Sequence, residues 1–307
     1  MRRLKLPLLA DLILTDVPQE VRALADDPAL DRGFRRKGPL LNRILAGRIR
    51  SVMSIRGVPL PSIALRGDAD RARNQQQLEQ RLDALADNRA FDPGGIEAVV
   101  QAMRISDPRQ IGLASQRLVG RMFDPEFQAD DESWDAALLL DRALKTRNPL
   151  LSFWWSITGQ LSRAKQVLLK RCSGDFAAVH ATGIAVHNLA AAFTEMANLL
   201  ERPGWEDGAA RERAVIRTLA APQTVVRQAP GPGVSRVGTV SEGTLVLLEA
   251  AKANEADPGG GTAFLTAGWS RCPAHRAVPV LLDHVWHAAT GGEAAADEDA
   301  EKVGERA

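Results

Sequence analysis

Along most of the chain, apolar side chains recur at three- and four-residue steps with charged ones between them. That period gathers the apolar positions on one stripe of a helix. It predicts helices over 75–90, 94–104, 131–147 and 160–171. From Asp175 to Leu200 most residues, 16 of 26, are Ala, Val, Ile, Leu or Phe. A helix apolar on most of its faces belongs in the middle of a domain. Arg202-Pro203-Gly204 ends it, because proline disfavours helix at the preceding residue and glycine permits the turn. A further helix over about 207–220 stops before Pro222. After that the texture changes to β-rich runs, Thr224–Arg227, Ser235–Gly238 and Thr244–Leu248, set between Pro and Gly turns. Leu12–Thr15 is another short strand, and a last helix runs from Pro273 to about Ala289. Residues 290–307 carry Ala, Glu, Asp and Gly without an apolar pattern and read as a disordered tail. The expected fold is mainly α with a small β region, in a single domain over 1–289.

Composition narrows the chemistry. Of 307 residues, 39 are Lys or Arg and 38 are Asp or Glu, a net charge of +1 that argues against a nucleic-acid partner. The basic start, Met1–Lys5, leads into an apolar stretch that Asp11 cuts short, unlike a signal peptide. No apolar run is read as approaching the roughly 20 residues of a bilayer span. A soluble cytoplasmic protein with no membrane partner is expected. Two cysteines, Cys172 and Cys272, can build neither a disulfide scaffold nor an all-cysteine zinc site. Tyrosine is absent. Any chemistry must come from two thiols, five histidines, carboxylates or a bound cofactor.

The segment Phe264–His275 holds the most information. Cys272 is expected at a helix N-cap with Pro273 in the first turn, where its missing N–H costs nothing. Free amides and the helix dipole would then lower the thiol pKa. Such a thiolate suits a nucleophile or a metal ligand; a buried, inert cysteine is the alternative.

Gly268-x-x-x-Cys272-x-Ala274 resembles the haem-binding loop of the cytochrome P-450 family, Phe-x-x-Gly-x-x-x-Cys-x-Gly. Leu265 replaces its Phe and Ala274 its last Gly. Upstream, Arg217–Pro222 followed by Arg227 is similar to the family's Glu-x-x-Arg helix, proline turn and arginine. Gly243–Pro258 resembles its strand and Ala-Asn-x-Asp-Pro turn, and Asp175–Pro203 its long distal helix. The segments occur in the family's order over about 175–289.

The resemblance implies a compact cytochrome P-450-like fold holding haem b. Cys272 would be the axial thiolate, Arg227 a haem-propionate partner, and Gly268 and Ala274 cofactor-loop residues. Arg71 and Arg73 fall where the family often places another propionate contact. The implied activity is monooxygenation, or peroxide-dependent oxidation, of a small to medium apolar substrate. Electrons would come from separate proteins. Three departures stand out. The glutamate partner of Arg217 falls on Ala214. The family's acid–alcohol pair falls on Val186 and His187. The chain is also short for the family, and the usual meander shrinks to a few glycines. His187 and Asn188 then become candidate catalytic residues, and His180, Gly183 and Ile184 candidate pocket residues. An imidazole can act as general acid or base, or as a core histidine bonded to a carbonyl. The departures also allow a non-catalytic helper that binds a partner enzyme or ligand. His284 and His287 have helical ligand spacing without an evident third ligand. Trp154 and Trp155 read as core or as an apolar surface anchor.

Overall fold

The first residues fold back at once. Strand β1 (Arg2–Leu6) pairs antiparallel with β2 (Ala10–Thr15), placing Leu6 opposite Ala10. Helices α1 (Pro18–Ala25) and α2 (Leu40–Val52) follow, then a small hairpin of β3 (Ser54–Ile55) and β4 (Val58–Pro59). This is a computed structural model; it describes residues 1–146, 148–202, 208–259 and 261–291. The tail expected over 290–307 therefore lies almost wholly outside the described residues, as does Pro203.

Six helices come next: α3 (Ala69–Asp87), α4 (Pro93–Ile105), α5 (Pro108–Arg121), α6 (Asp131–Lys145), α7 (Pro149–Ile157) and α8 (Gln160–Arg171). Their starts are written in short-range chemistry. Asp68 accepts the Asp70 and Arg71 amides at the head of α3. Proline opens α4, α5 and α7. At α6, the Ser133 N–H donates to the Asp130 carboxylate while the Asp130 N–H donates to the Ser133 hydroxyl. Helix α5 was not expected, since Gly112 and Gly120 dilute its apolar pattern. Both glycines serve packing: a Cβ on Gly112 would lie 2.0 Å from the Trp134 ring, and one on Gly120 2.0 Å from the Phe127 ring.

The central helix spans the predicted range but is not uniform. It comprises α9 (Phe176–His180), a π turn over Ala181–Ala185, and α10 (Val186–Leu200). A π turn inserts a residue and shifts every later side chain around the axis. Gln116 from α5 supports it by donating to the Thr182 carbonyl at 3.1 Å. Phe176–Leu200 is, after all, long and apolar enough to cross a membrane by length and composition. Here Val186, Phe193, Met196 and Leu199 are fully buried, and the helix packs among α4, α5 and α6 as the core of a bundle.

The rest of the described chain is α11 (Gly208–Thr218), β5 (Val225–Gln228), β6 (Gly233–Ser235), β7 (Gly238–Val240), β8 (Leu245–Leu248), α12 (Ala250–Ala256) and α13 (Ala277–Thr290). Ser235–Gly238, expected as a strand, is instead the turn between β6 and β7. The main sheet has the order β1-β2-β8-β5. β2 and β8 run parallel, with Leu12 opposite Leu245, and β5 returns antiparallel on the outside of β8. The N-terminal hairpin and the late β region are thus one sheet. The fold is mainly α with a small β region, as the sequence pattern indicates.

Candidate functional site

Cys272 lies in a loop pinned at both ends. Its own N–H donates to the Phe264 carbonyl at 2.9 Å, and its carbonyl accepts from the His275 N–H at 3.2 Å. Gly268 seats the loop against α1: a Cβ there would sit 3.1 Å from the Leu265 carbonyl oxygen and 3.4 Å from that of Ala25. Helix α13 does not begin until Ala277, so Cys272 is not its N-cap. Residues 273–276 form a turn instead, and within it the Ala274 N–H reaches the sulfur. The expected depression of the thiol pKa is also reversed. Burial pushes it up, against the pull of the Ala274 amide and the charge of Arg32.

Around this loop stand cations with no counter-ion. Arg227, on β5, is completely buried; it donates to Ser270 Oγ at 2.8 Å, and its Nε has no partner. Arg71, in the first turn of α3, stacks over the Trp269 ring at 4.7 Å, and its Nε is also buried without a partner. Arg32 arrives from the loop between α1 and α2, held by a β-bridge to Ala64, and its buried Nε is a third such atom. The indole Nε1 of Trp269 is a fourth. Arg66 covers the other side of the same neighbourhood, but Asp26 neutralises it at 2.8 Å. Among the described residues no carboxylate makes an ion pair with Arg32, Arg71 or Arg227.

This arrangement opposes its own charge. Burial and the neighbouring Arg71 pull Arg32 down to about 10, and burial with three nearby guanidinium groups lowers Arg227 well below the usual arginine range. Buried cations and orphaned donors are costly unless an anion satisfies them. A ligand bearing two carboxylates would satisfy them. Cys272, the soft donor beside the cluster, would serve a metal presented by such a ligand. Among the described residues no group of three or more His, Cys, Asp or Glu side chains could hold a bare ion.

Burial dominates the titration of Cys272, Arg32 and His180 alike. His180, close enough to feel the Arg32 charge, is pushed down to about 4 and is neutral at pH 7.

Other expected site residues are elsewhere. His187 is engaged inside the bundle: its Nε2 lies 3.1 Å from the Ala137 carbonyl oxygen and its ring packs on Trp134 at 5.1 Å. Gly183 faces Leu168 and Leu140 across the bundle, where a Cβ would sit 2.6 Å from Leu168 Cδ1. Ile184 packs into the same cluster. The π turn is the reason, because it rotates the helix away from the register expected of a regular α-helix. On the same helix Ala185 is exposed, and Ala181 and Asn188 are half-buried, as are His180, Ile184 and His187. Arg73 extends into solvent and pairs with Asp70. Arg217 is exposed, and Ala214 beside it is buried in the core. Cys172 is buried against Thr182 and its thiol is pushed up to about 11. His284 stacks edge-on against Phe91. Arg32 and Trp269 were not singled out from sequence. Trp269 sits directly after Gly268 in the cysteine loop, a position that could have flagged it; Arg32 left no sequence signal.

No family description matches the sequence, and no curated protein matches it. Solved structures do. P450BioI, in complex with hexadec-9Z-enoic acid ligated acyl carrier protein, aligns with a TM-score of 0.58 at 11% identity, over 94% of this chain and 87% of that one. P450 RauA, complexed with a biosynthetic intermediate of aurachin RE, aligns at 0.56 and 11%, over 92% and 84%. CYP175A1, from Thermus thermophilus, aligns at 0.51 and 16%, over 93% and 82%. The chain has the cytochrome P-450-like fold.

Proposed function

We propose that residues 1–289 form a haem-thiolate protein that oxidises a small to medium apolar substrate. The observation that carries this reading is the set of buried donors without partners, on Arg32, Arg71, Arg227 and Trp269, gathered beside Cys272. Haem b carries two propionates and an iron, which those donors and that sulfur fit.

In this reading Cys272 ligates the iron as thiolate. Metal binding would overcome the burial that now keeps the thiol protonated. Arg32, Arg71 and Arg227 would hold the propionates through charge-assisted hydrogen bonds. The Trp269 ring would keep Arg71 oriented, and Gly268 with Ala274 would hold the loop close to the sulfur. Haem with a thiolate ligand supplies oxygen or peroxide activation, the sulfur donating electron density that favours O–O cleavage. The Ala181–Ala185–Asn188 face would present small side chains to an apolar substrate. His180, neutral at working pH, could donate or accept a proton there. Monooxygenation with electrons from separate proteins is the form we favour; peroxide is the other source.

A helper that has lost turnover draws support from Ala214 and Val186, which stand where the resemblance implies acids. Such a protein would still have to explain one buried and two half-buried arginines that make no ion pair among the described residues.

The test is the optical spectrum of the purified protein. A red-shifted Soret band in the reduced, carbon-monoxide-bound form supports the proposal. A chain that stays colourless after haem supplementation would falsify it.

A further inference from the structure

Charge is distributed unevenly along the chain despite its near-zero sum. The segments before Asp11, between Asp31 and Asp68, and between Asp141 and Asp175 hold 3, 9 and 7 Lys or Arg and not one Asp or Glu. Together they take 19 of the 39 basic residues, of which Arg3, Arg35, Lys37, Arg66, Lys145 and Arg171 pair with carboxylates outside the segments.

The same segments carry an exposed apolar strip. Leu8, at the tip of the β1–β2 hairpin, is 91% exposed. The tip is bonded to the start of α2, where the Leu40 N–H donates to the Leu8 carbonyl at 3.0 Å. Leu40 and Ile44 are exposed on α2, one turn apart. Arg48, the next residue on that stripe, donates to the Thr146 carbonyl and so joins α2 to the connection leading into α7. Helix α7 exposes Leu150 at 76%, Trp154 at 56% and Ile157 at 59%, all on one face, while Trp155 packs inward. A surface helix apolar on both sides has an outer face that water does not favour.

Basic side chains border the strip. Lys5, Arg43 and Arg163 are exposed beside it. Glu242 reaches its edge, 4.0 Å from Lys37. Aliphatic residues with an exposed Trp and surrounding cations match the interface of an anionic bilayer: acyl chains take the Leu and Ile side chains, the headgroup level suits indole, and lipid phosphates meet the cations.

We infer that the Leu8–Ile44–Ile157 strip docks the protein on an anionic phospholipid surface as a peripheral, non-spanning contact. This revises the expectation that no membrane takes part, and it is independent of what Cys272 binds.

Flotation of the full-length purified chain with vesicles tests it. The protein should rise with phosphatidylglycerol–phosphatidylcholine vesicles at low salt, and bind pure phosphatidylcholine far less. Replacing Leu8 and Trp154 together by Ser should weaken binding at least tenfold, and Arg43→Glu about fivefold or more. These side chains are exposed, so far-ultraviolet circular dichroism of the variants should match the parent. Failure to bind anionic vesicles overturns the inference, as does undiminished binding by the Leu8→Ser, Trp154→Ser variant. A concentration-dependent dimer that this same variant abolishes, without vesicle binding, would assign the strip to a second copy of the chain.

Discussion

The cysteine loop and the central helix were both singled out in the sequence, and they satisfy their polar groups in opposite ways. In the helix Thr182 and His187 find partners inside the bundle. Thr182 bonds to Ala178 and Cys172, Gln116 takes the Thr182 carbonyl, and His187 meets Ala137. Around the loop, the Nε atoms of three arginines and an indole N–H are buried and unmatched. Buried donors without partners are costly until something satisfies them. Under the proposed function, the loop binds and much of the helix packs.

The strongest way to break that contrast is at the sulfur. Cys272→Ala should abolish the haem-thiolate spectrum, whereas Cys172→Ala should leave it and lower only stability. Equal effects of the two would erase the distinction. Arg227→Met sharpens it from the other side. It should weaken haem binding by about tenfold to a hundredfold, the worth of a charged hydrogen bond. The haem-free chain, relieved of a buried uncompensated charge, should unfold at an equal or higher temperature. Weaker haem binding with a large loss of haem-free stability would show that the arginine is structural.

His180 gives a pH test. Its pKa in the folded chain, about 4, lies below its ordinary value of 6.5, so protons favour the unfolded state. Its contribution to stability is complete above about pH 6.5 and is lost as the pH falls toward 4. Melting temperatures of the haem-free chain should decline across that window, and His180→Ala should flatten the decline. A smaller effect belongs to His187. Loss of its bond to Ala137 should cost about 1 kcal/mol of stability, with the spectrum and turnover unchanged. Slowed turnover at full stability would return His187 to the site. Gly183→Ala should cost a similar amount through its contact with Leu168, whose terminal methyl can yield.

How much of this the sequence made legible differs between the same two regions. The loop's own spacing, Gly268 to Cys272, is short-range and survives into three dimensions, while Arg227 reaches it across 43 residues to Ser270. Amphipathic helices such as Asp131–Lys145 were plain because their apolar period is strong. The central helix was visible as an element, but its register was not. One π turn changes which side chains face which neighbour, and no local propensity announces it. Helix α5 was hidden because the fit of glycine against an aromatic ring depends on a residue 22 positions away in the case of Gly112 and Trp134. Arg32 was hidden for a related reason: only a β-bridge to Ala64 and the sheet connection at Gln228 bring it near Cys272.

The parallel pairing of β2 with β8 has a consequence for when the site can exist. Leu12 and Leu245 are partners in that ladder, and Arg227 reaches the Ala25 carbonyl across 202 residues of chain. The arginine cluster is therefore assembled from segments about 200 residues apart in the chain. Arg32 and Arg227 cannot meet until everything between them has been made. Contacts of such long sequence separation form slowly. Until they do, the helices made in between must hold together without the sheet that later closes over them.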